Sequence, residues 1–450
     1  MVAEQGEGRD KPRTSVELFA GGGGLAIAVH QAGFRPLLYN EWANHASETL
    51  TTNGAERVPK GETPKIPLAG EIVPLVAGDI RELDMTYLNG QVDVIAGGPP
   101  CQPFSLGGVA KGDEDRRNMF PQMFRAIREI QPKAVICENV RGLLRPSFSP
   151  YFEYIQRELK LPFERRDDEV AWHEHDALLA KRLRSGRAPN EERYEVVVTP
   201  VNAADYGVPQ VRHRVMIVAF RADLDVDVDA FRKTVEDTRF SQNGLFRSMQ
   251  NGEYWDRHAG LSRIPGHVID RTLSRIPEVP PNDDCMPWRT LRDAIQGFGT
   301  GQIKDEGGKI LPLLPPLPPI PLNQLDTKTV QGGFPDHIGW PGARIYDGHT
   351  PNDLDAPAKT VKAGVHGVPG GESVVLLDDR VSDPFSKSLW RYLHRYMTVR
   401  ETARVMTFPD NWVLSGPRGE RMRQLGNAVP VSMGRFFAQA VADSLAAAGH

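Results

Sequence analysis

The chain has 450 residues, with 54 Lys and Arg against 58 Asp and Glu, for a net charge of −4. That length suits two or three domains, and the slight acidity excludes a protein that coats nucleic acid regardless of sequence, which needs a strongly basic domain. Cys101, Cys137 and Cys285 show no CxxC spacing, which excludes a disulfide scaffold and a structural zinc site and fits a reducing cytoplasm. No long uncharged apolar run suggests a membrane span. The polar residues 1–13 read as a frayed tail rather than a secretory signal.

In chain order, Ser15–Phe19 reads as a strand that runs into Gly21-Gly22-Gly23-Gly24, and Leu25 to Ala32 reads as a helix. Pro36–Tyr39 is a second strand, ending at Asn40-Glu41-Trp42, and Pro74–Ala77 a third, ending at Gly78-Asp79-Ile80. Val92–Ala96 is a fourth, leading through Gly97-Gly98-Pro99-Pro100 to Cys101. Ala134–Cys137 is a fifth, ending at Glu138-Asn139-Val140. Apolar strands alternating with helical stretches predict an α/β fold, a Rossmann-like doubly wound sheet with helices on both faces. Each strand delivers a polar or nucleophilic residue at its carboxyl end, where open α/β sheets hold ligands.

This first domain spans 14–221. It carries a charged, helix-prone insertion over about 167–192, including Lys181 to Arg187, which is expected to be a solvated arm. His173-Glu174-His175-Asp176 within it is read as solvated surface, because adjacent residues on a helix do not converge on one ion. Tyr194–Val198 and Arg214–Phe220 resume the strand pattern. From 222 to 396 the rhythm is lost, and a smaller irregular domain is expected there, with the proline-rich stretch 311–322 as an extended connector. Residues 397–450 return to the first domain. They include a helix from Thr398 to Met406, opened by a Thr398/Glu401 capping box, and an amphipathic helix from Ser432 to Ala447.

Gly21, Gly23 and Ala26 satisfy GxGxx(G/A), and Glu41 stands at the end of the next strand. The pattern suits NAD, FAD or S-adenosylmethionine alike. Proline fixes φ and offers no N–H to a sheet, so the fourth strand must stop before Cys101 and present it on a stiffened loop. A thiolate there adds to a polarised double bond, and Glu138, from the neighbouring strand, can activate a ring nitrogen while Asn139 holds its carboxyl. Alternation puts Arg212 and Arg214 on one face and His213 on the other. That arginine pair suits a carbonyl oxygen, a carboxylate or a phosphate, or else an edge strand with solubilising charge. Gly107 to Asn118, rich in glycine and charge, reads as a lid.

Taken in order, these segments resemble a DNA (cytosine-5-)-methyltransferase of the bacterial type. The matching motifs are Phe19-Ala20-Gly21-Gly22-Gly23-Gly24, Asn40-Glu41-Trp42, Asp79-Ile80, Pro99-Pro100-Cys101-Gln102, Glu138-Asn139-Val140, Gln210-x-Arg212-x-Arg214 and Gln424 to Pro430. The resemblance implies an S-adenosylmethionine site lined by Phe19, Gly21, Gly23, Gly24, Leu25, Glu41, Trp42, Asp79, Ile80, Pro99, Asn427 and Val429. In it Glu41 holds the ribose, Trp42 lies against the adenine, and Asp79 stands near the adenine amino group. It implies Cys101 as the nucleophile toward cytosine C6, Glu138 at N3, and Arg214 at O2, with Arg212 and Asn139 in the same catalytic set. Double-stranded DNA, with its target base flipped out, is the implied partner. A monomer acting in the cytoplasm is expected, as is a separately acting cognate restriction endonuclease. The region before Tyr396 then stands as a target-recognition domain. A tRNA cytosine-5 methyltransferase, a catalytically silent DNA-binding regulator and a dehydrogenase are the competing readings. The first is disfavoured by the long recognition region and by Phe104-Ser105, the second by the intact Cys101, Glu138 and Arg214, and the third by Cys101.

Overall fold

A computed structural model describes residues 12–100, 118–167, 169–259, 263–279, 284–297, 314–345, 347–348, 350–363, 373–386 and 388–450. Its framework is an eight-stranded sheet built from β1 (Thr14–Leu18), β2 (Arg35–Glu41), β3 (Glu56–Arg57), β4 (Pro74–Ala77), β5 (Val94–Gly97), β6 (Ala134–Val140), β7 (Tyr194–Asn202) and β8 (His213–Arg221). The strand order is β3-β4-β2-β1-β5-β6-β8-β7. Six neighbouring strands run parallel, from β3 to β6, and β8 and β7 close the far side antiparallel. The chain winds outward from β1 in one direction and from β5 in the other. The crevice between their carboxyl ends is therefore the topological switch point, the place where such sheets bind ligands.

Alternate residues of each central strand enter different cores. Val94, Ala96, Ala134 and Ile136 face α1 (Gly24–Gln31) and the C-terminal helix, while Ile95, Val135 and Cys137 face the other layer. The second layer holds α3 (Phe120–Ile130), α4 (Ser149–Lys160) and α5 (Trp172–Ser185); α2 (Asn44–Thr52) packs beside β4. With apolar side chains on both faces, these strands read as continuous hydrophobic runs.

Helix α5 departs from the expectation of a solvated arm. Leu179 is fully buried and His175 is 4 % exposed, with Trp172 and Leu183 packed on the same core. His175 is therefore a core histidine: its Nδ1 lies 3.1 Å from the Tyr154 hydroxyl and its Nε2 lies 2.9 Å from the Glu164 carbonyl. Burial holds its pKa below the ordinary imidazole value. Asp176 pairs with Arg157 at 2.7 Å. The expected solvated charge is found at His173 and Glu174 and from Lys181 to Arg187, apart from the half-buried Leu183.

After β8, α6 (Val228–Glu236) still packs on the sheet, with Phe231 and Val235 buried in the core of α1. The following region contains β9 (Phe240–Ser241), α7 (Gln242–Gln250), α8 (Glu253–Ala259), α9 (Gly266–Leu273), β10 (Met286–Pro287) paired with β9, and α10 (Leu291–Gln296). It ends in the antiparallel hairpin β11 (Val374–Ser382) and β12 (Trp390–Tyr396). Fully buried Arg292 bonds Asp355 and Asp378 together, joining α10 to β11. The proline-rich stretch, from 314 to 321, has no regular secondary structure, and Leu317 and Ile320 are buried along it.

Helices α11 (Val399–Val405), α12 (Arg418–Asn427) and α13 (Val431–Ala447) follow. Thr398 and Glu401 close the expected capping box in both directions. Among the described residues no helix is long and apolar enough to cross a membrane.

Glu17 lies in the middle of β1, 1 % exposed, and its Oε1 has no hydrogen-bond partner. Burial pushes its carboxyl up to about 8, and the Ser15 hydroxyl offsets only part of that rise. The folded state thus keeps a proton that the unfolded chain has lost, and stability falls as pH rises from about 5 to about 8. Glu17→Gln should flatten that slope, measured as the denaturation midpoint at pH 5.5 and 7.5, with the variant the more stable protein at the higher pH.

Candidate active site

The glycine turn is forced by backbone geometry. Phe19, Gly21 and Gly23 have φ of 54°, 56° and 93°, a region that L side chains enter only with strain. Space is closed at two positions: a Cβ on Gly23 would lie 2.6 Å from the Trp412 ring, and one on Gly24 would lie 2.4 Å from the Val429 carbonyl oxygen. At Gly21 the same construction meets nothing within 4 Å, so the turn opens toward the crevice there. Glu41 braces it from the end of β2. Its Oε2 accepts the Gly21 N–H and its Oε1 the Ala43 N–H, both at 2.7 Å. Burial raises the Glu41 pKa, and these backbone donors work against the rise. The carboxylate keeps lone-pair capacity beyond these backbone donors for a ligand hydroxyl. Trp42, next in the chain, is 67 % exposed at the rim.

Asn40 ties β2 to the end of β4 by donating to the Val76 and Gly78 carbonyls at 3.1 and 3.2 Å, which places Asp79 beside the end of β2. Asp79 accepts from Arg81 Nε at 2.9 Å, and this bond holds its pKa below the usual carboxylate value. Ile80 and Leu25 are buried; Ile80 packs in the α3 layer and Leu25 in the α1 layer.

Across the crevice, β5 and β6 are parallel neighbours with Gly97 opposite Cys137. Beyond that pair, Glu138 is 7 % exposed and lies 3.7 Å from where a Gly98 Cβ would stand. Arg214 Nε is 2.8 Å from Glu138 Oε1. This is an ion-pair contact without hydrogen-bond alignment, so Oε1 has no hydrogen-bond partner. Pro99 is buried, and Pro100 accepts the Met119 N–H at 3.1 Å. Cys101 and residues 107–117 of the expected lid lie outside the described residues.

Two of the expected partners do other work. Asn139 does not hold the Glu138 carboxyl: its Nδ2 donates to the Pro99 carbonyl at 3.1 Å and its Oδ1 accepts the Val140 N–H. It secures the backbone that leads to Cys101. Arg212 does not join Arg214 in the crevice. It precedes β8, so strand alternation does not reach it, and it is 1 % exposed. Its guanidinium donates to the carbonyls of Val361, Gly426 and Ala428 at 2.9, 2.8 and 3.0 Å. Burial, with Arg214 nearby, pushes its pKa down to about 9. By holding 426 and 428, Arg212 sets Ala428 and Val429 against Gly24, while Asn427 between them stays exposed.

Sequence reasoning overlooked Trp412 and the contacts of Gln424. Trp412 Nε1 donates to the Gly22 carbonyl at 2.9 Å, and Gln424 Oε1 accepts from Thr49 at 2.6 Å while lying against Gly22. A lone tryptophan in a loop has no periodic signal. The one clue was that it follows Pro409-Asp410 directly after a well-capped helix.

A doubly wound sheet with a glycine turn, a β2 carboxylate and a buried Glu–Arg pair at its switch point defines a ligand-binding α/β enzyme. The family model "C-5 cytosine-specific DNA methylase" matches residues 13–161, 188–266 and 361–443. The chain is 28 % identical over 432 residues to the Type II methyltransferase M.Eco47II of Escherichia coli, covering 93 % of this chain and 76 % of the relative. It is 25 % identical to M.AgeI of Thalassovita gelatinovora, over 95 % of this chain and 98 % of that one. In fold it resembles the Entamoeba histolytica methyltransferase EhMeth, with a TM-score of 0.50 and 12 % identity over 97 % of this chain and 99 % of the other. The chain belongs to the C-5 cytosine-specific DNA methylase family and is a cytosine-5 methyltransferase acting on DNA.

Arg212→Met should destabilise the fold by about 3 kcal/mol, because three buried carbonyls lose their donor. Urea denaturation of the purified variant measures this; an unchanged midpoint contradicts the role assigned to Arg212.

Proposed function

We propose that this enzyme methylates C5 of a cytosine within a specific double-stranded DNA sequence, using S-adenosylmethionine and a covalent Cys101–C6 intermediate. The observation that carries the reading is the Glu138–Arg214 pair, held at the carboxyl end of β6 beside the two prolines that precede Cys101. The residues around the glycine turn fit the methyl donor. The turn is open above Gly21, Glu41 is braced with lone pairs to spare, and Trp42 offers a bare ring face. Phe19, Gly23, Gly24, Leu25, Asp79, Ile80, Pro99, Asn427 and Val429 complete the proposed cradle. When bound, S-adenosylmethionine supplies an electrophilic methyl group on a sulfonium centre.

Cytosine C5 is a poor nucleophile until C6 is saturated. The Cys101 thiolate forms a bond to C6, and the displaced electron pair is delocalised over C5 and N3. A proton carried by the Glu138 carboxyl is shared with N3 as the charge develops and returns to Glu138 when the thiolate leaves, while Arg214 holds O2. Once C5 has taken the methyl group, its proton is lost to solvent. That electron pair restores the C5–C6 double bond and expels the thiolate. The target base must leave the stack to reach these groups. Within 222–396 the proposed recognition domain offers Arg380 stacked 4.7 Å over the half-exposed Trp390, a surface suited to phosphates and bases. The proposal extends to a monomeric cytoplasmic enzyme of a restriction-modification pair, with the nuclease as a separate protein.

The purified protein should transfer labelled methyl groups from S-adenosylmethionine to unmethylated duplex DNA. Cys101→Ser should abolish transfer while S-adenosylhomocysteine still binds. Equal or better labelling of tRNA would move the substrate to RNA. Trp412→Phe keeps the ring but loses the N–H to Gly22, and it should weaken S-adenosylhomocysteine binding about fivefold by calorimetry.

A further inference from the structure

Residues 162–187 fall between two matched stretches of the family model, 13–161 and 188–266, so what the family shares leaves this segment without a role. The structure gives it one. The Trp172 ring, at the start of α5, meets the Tyr151 ring edge-on, with centroids 5.2 Å apart and planes at 90°, and lies 5.6 Å from Tyr154. The Tyr154–His175 and Arg157–Asp176 contacts fix α5 on α4, so Trp172 has a defined seat.

The Tyr151 hydroxyl reaches out of this aromatic cluster. It accepts a hydrogen bond from Asn118 Nδ2 at 2.5 Å in buried surroundings. Asn118 Oδ1 accepts the Phe120 N–H at 3.3 Å, setting the entry into α3. The intervening Met119 N–H donates to the Pro100 carbonyl at 3.1 Å. Pro100 is joined directly to Cys101. A continuous set of contacts therefore leads from the insertion to the peptide beside the nucleophile. A buried amide that loses its acceptor must find water or move, and movement of Asn118 disturbs the Phe120 N–H bond and the adjoining Met119 N–H that holds Pro100.

We propose that the insertion, through Trp172 and Tyr151, positions Asn118 and the Pro100 carbonyl for methyl transfer, making Trp172 and Tyr151 positioning residues of this enzyme. The inference rests on the reading of Cys101 given above. The test compares the full-length parent with Tyr151→Phe, Trp172→Ala and Trp172→Phe. It measures kcat for methyl transfer to unmethylated phage DNA, the KM for DNA, and the affinity for S-adenosylhomocysteine.

Tyr151→Phe and Trp172→Ala should lower kcat about fivefold or more, with the KM for DNA and the S-adenosylhomocysteine affinity unchanged. Trp172→Phe should restore at least half of the parental rate. Tyr151→Phe, which removes one oxygen atom, keeps the test open should Trp172→Ala fail to fold. Parental kcat in Tyr151→Phe would overturn the inference, as would a parallel loss of S-adenosylhomocysteine affinity, which signals general destabilisation. A parent that binds S-adenosylhomocysteine yet methylates no DNA would instead sink the functional reading, and this inference with it.

Discussion

One buried guanidinium joins three stretches of backbone that are far apart in sequence. Arg212 gives its hydrogens to the carbonyls of Val361, Gly426 and Ala428, and no other residue type offers planar donors in that fork. Gly426 is part of the same joint, since a Cβ there would lie 2.4 Å from the Ala363 nitrogen. With 426 and 428 fixed, the Val429 carbonyl settles on Gly24 and Gln424 reaches Gly22. The crevice at the switch point is thus walled on one side by the sheet and on the other by a segment that arrives from the far end of the chain.

Much of this architecture is legible in the residues. Apolar runs bounded by Gly, Pro and Asn-Glu mark β1, β2, β4, β5 and β8 to within one or two positions, and β6 and β7 at their starts, because strands buried on both faces leave little room for ambiguity. The Thr398/Glu401 box marks α11 because capping is a local interaction. What stays hidden depends on tertiary contact. Strand β3 is two exposed residues recruited by β4. Arg212 and Arg214 look equivalent by alternation, yet one lies before the strand and one inside it, and that boundary is set by pairing with β6 and β7. Asn139 stands beside the Glu138 carboxyl in sequence, whereas the acceptor it meets is the Pro99 carbonyl in the loop after β5.

Helix α5 shows how composition conceals packing. Its charged residues dominate the sequence, but Trp172, His175, Leu179 and Leu183 recur at spacings of three and four, a narrow apolar stripe. Read by periodicity rather than by charge density, the stripe indicates a helix laid on a core. The same stripe makes a core residue of a histidine that resembles a metal ligand on paper. Two arginine-rich surfaces, on α5 and on the β11–β12 hairpin, thus have different standing: one covers a packed helix, the other carries an exposed tryptophan.

The contact between Gly24 and the Val429 carbonyl has a consequence for how the protein is made. Domains usually fold from the amino end as the chain emerges during synthesis, but here the first turn cannot reach its final form until residue 429 has left the ribosome. The partly made polypeptide carries a paired sheet with one flank bare, since α13 is needed to cover α1. The glycine turn and the last helix to be synthesised are therefore completed together, at the end of translation rather than at its start.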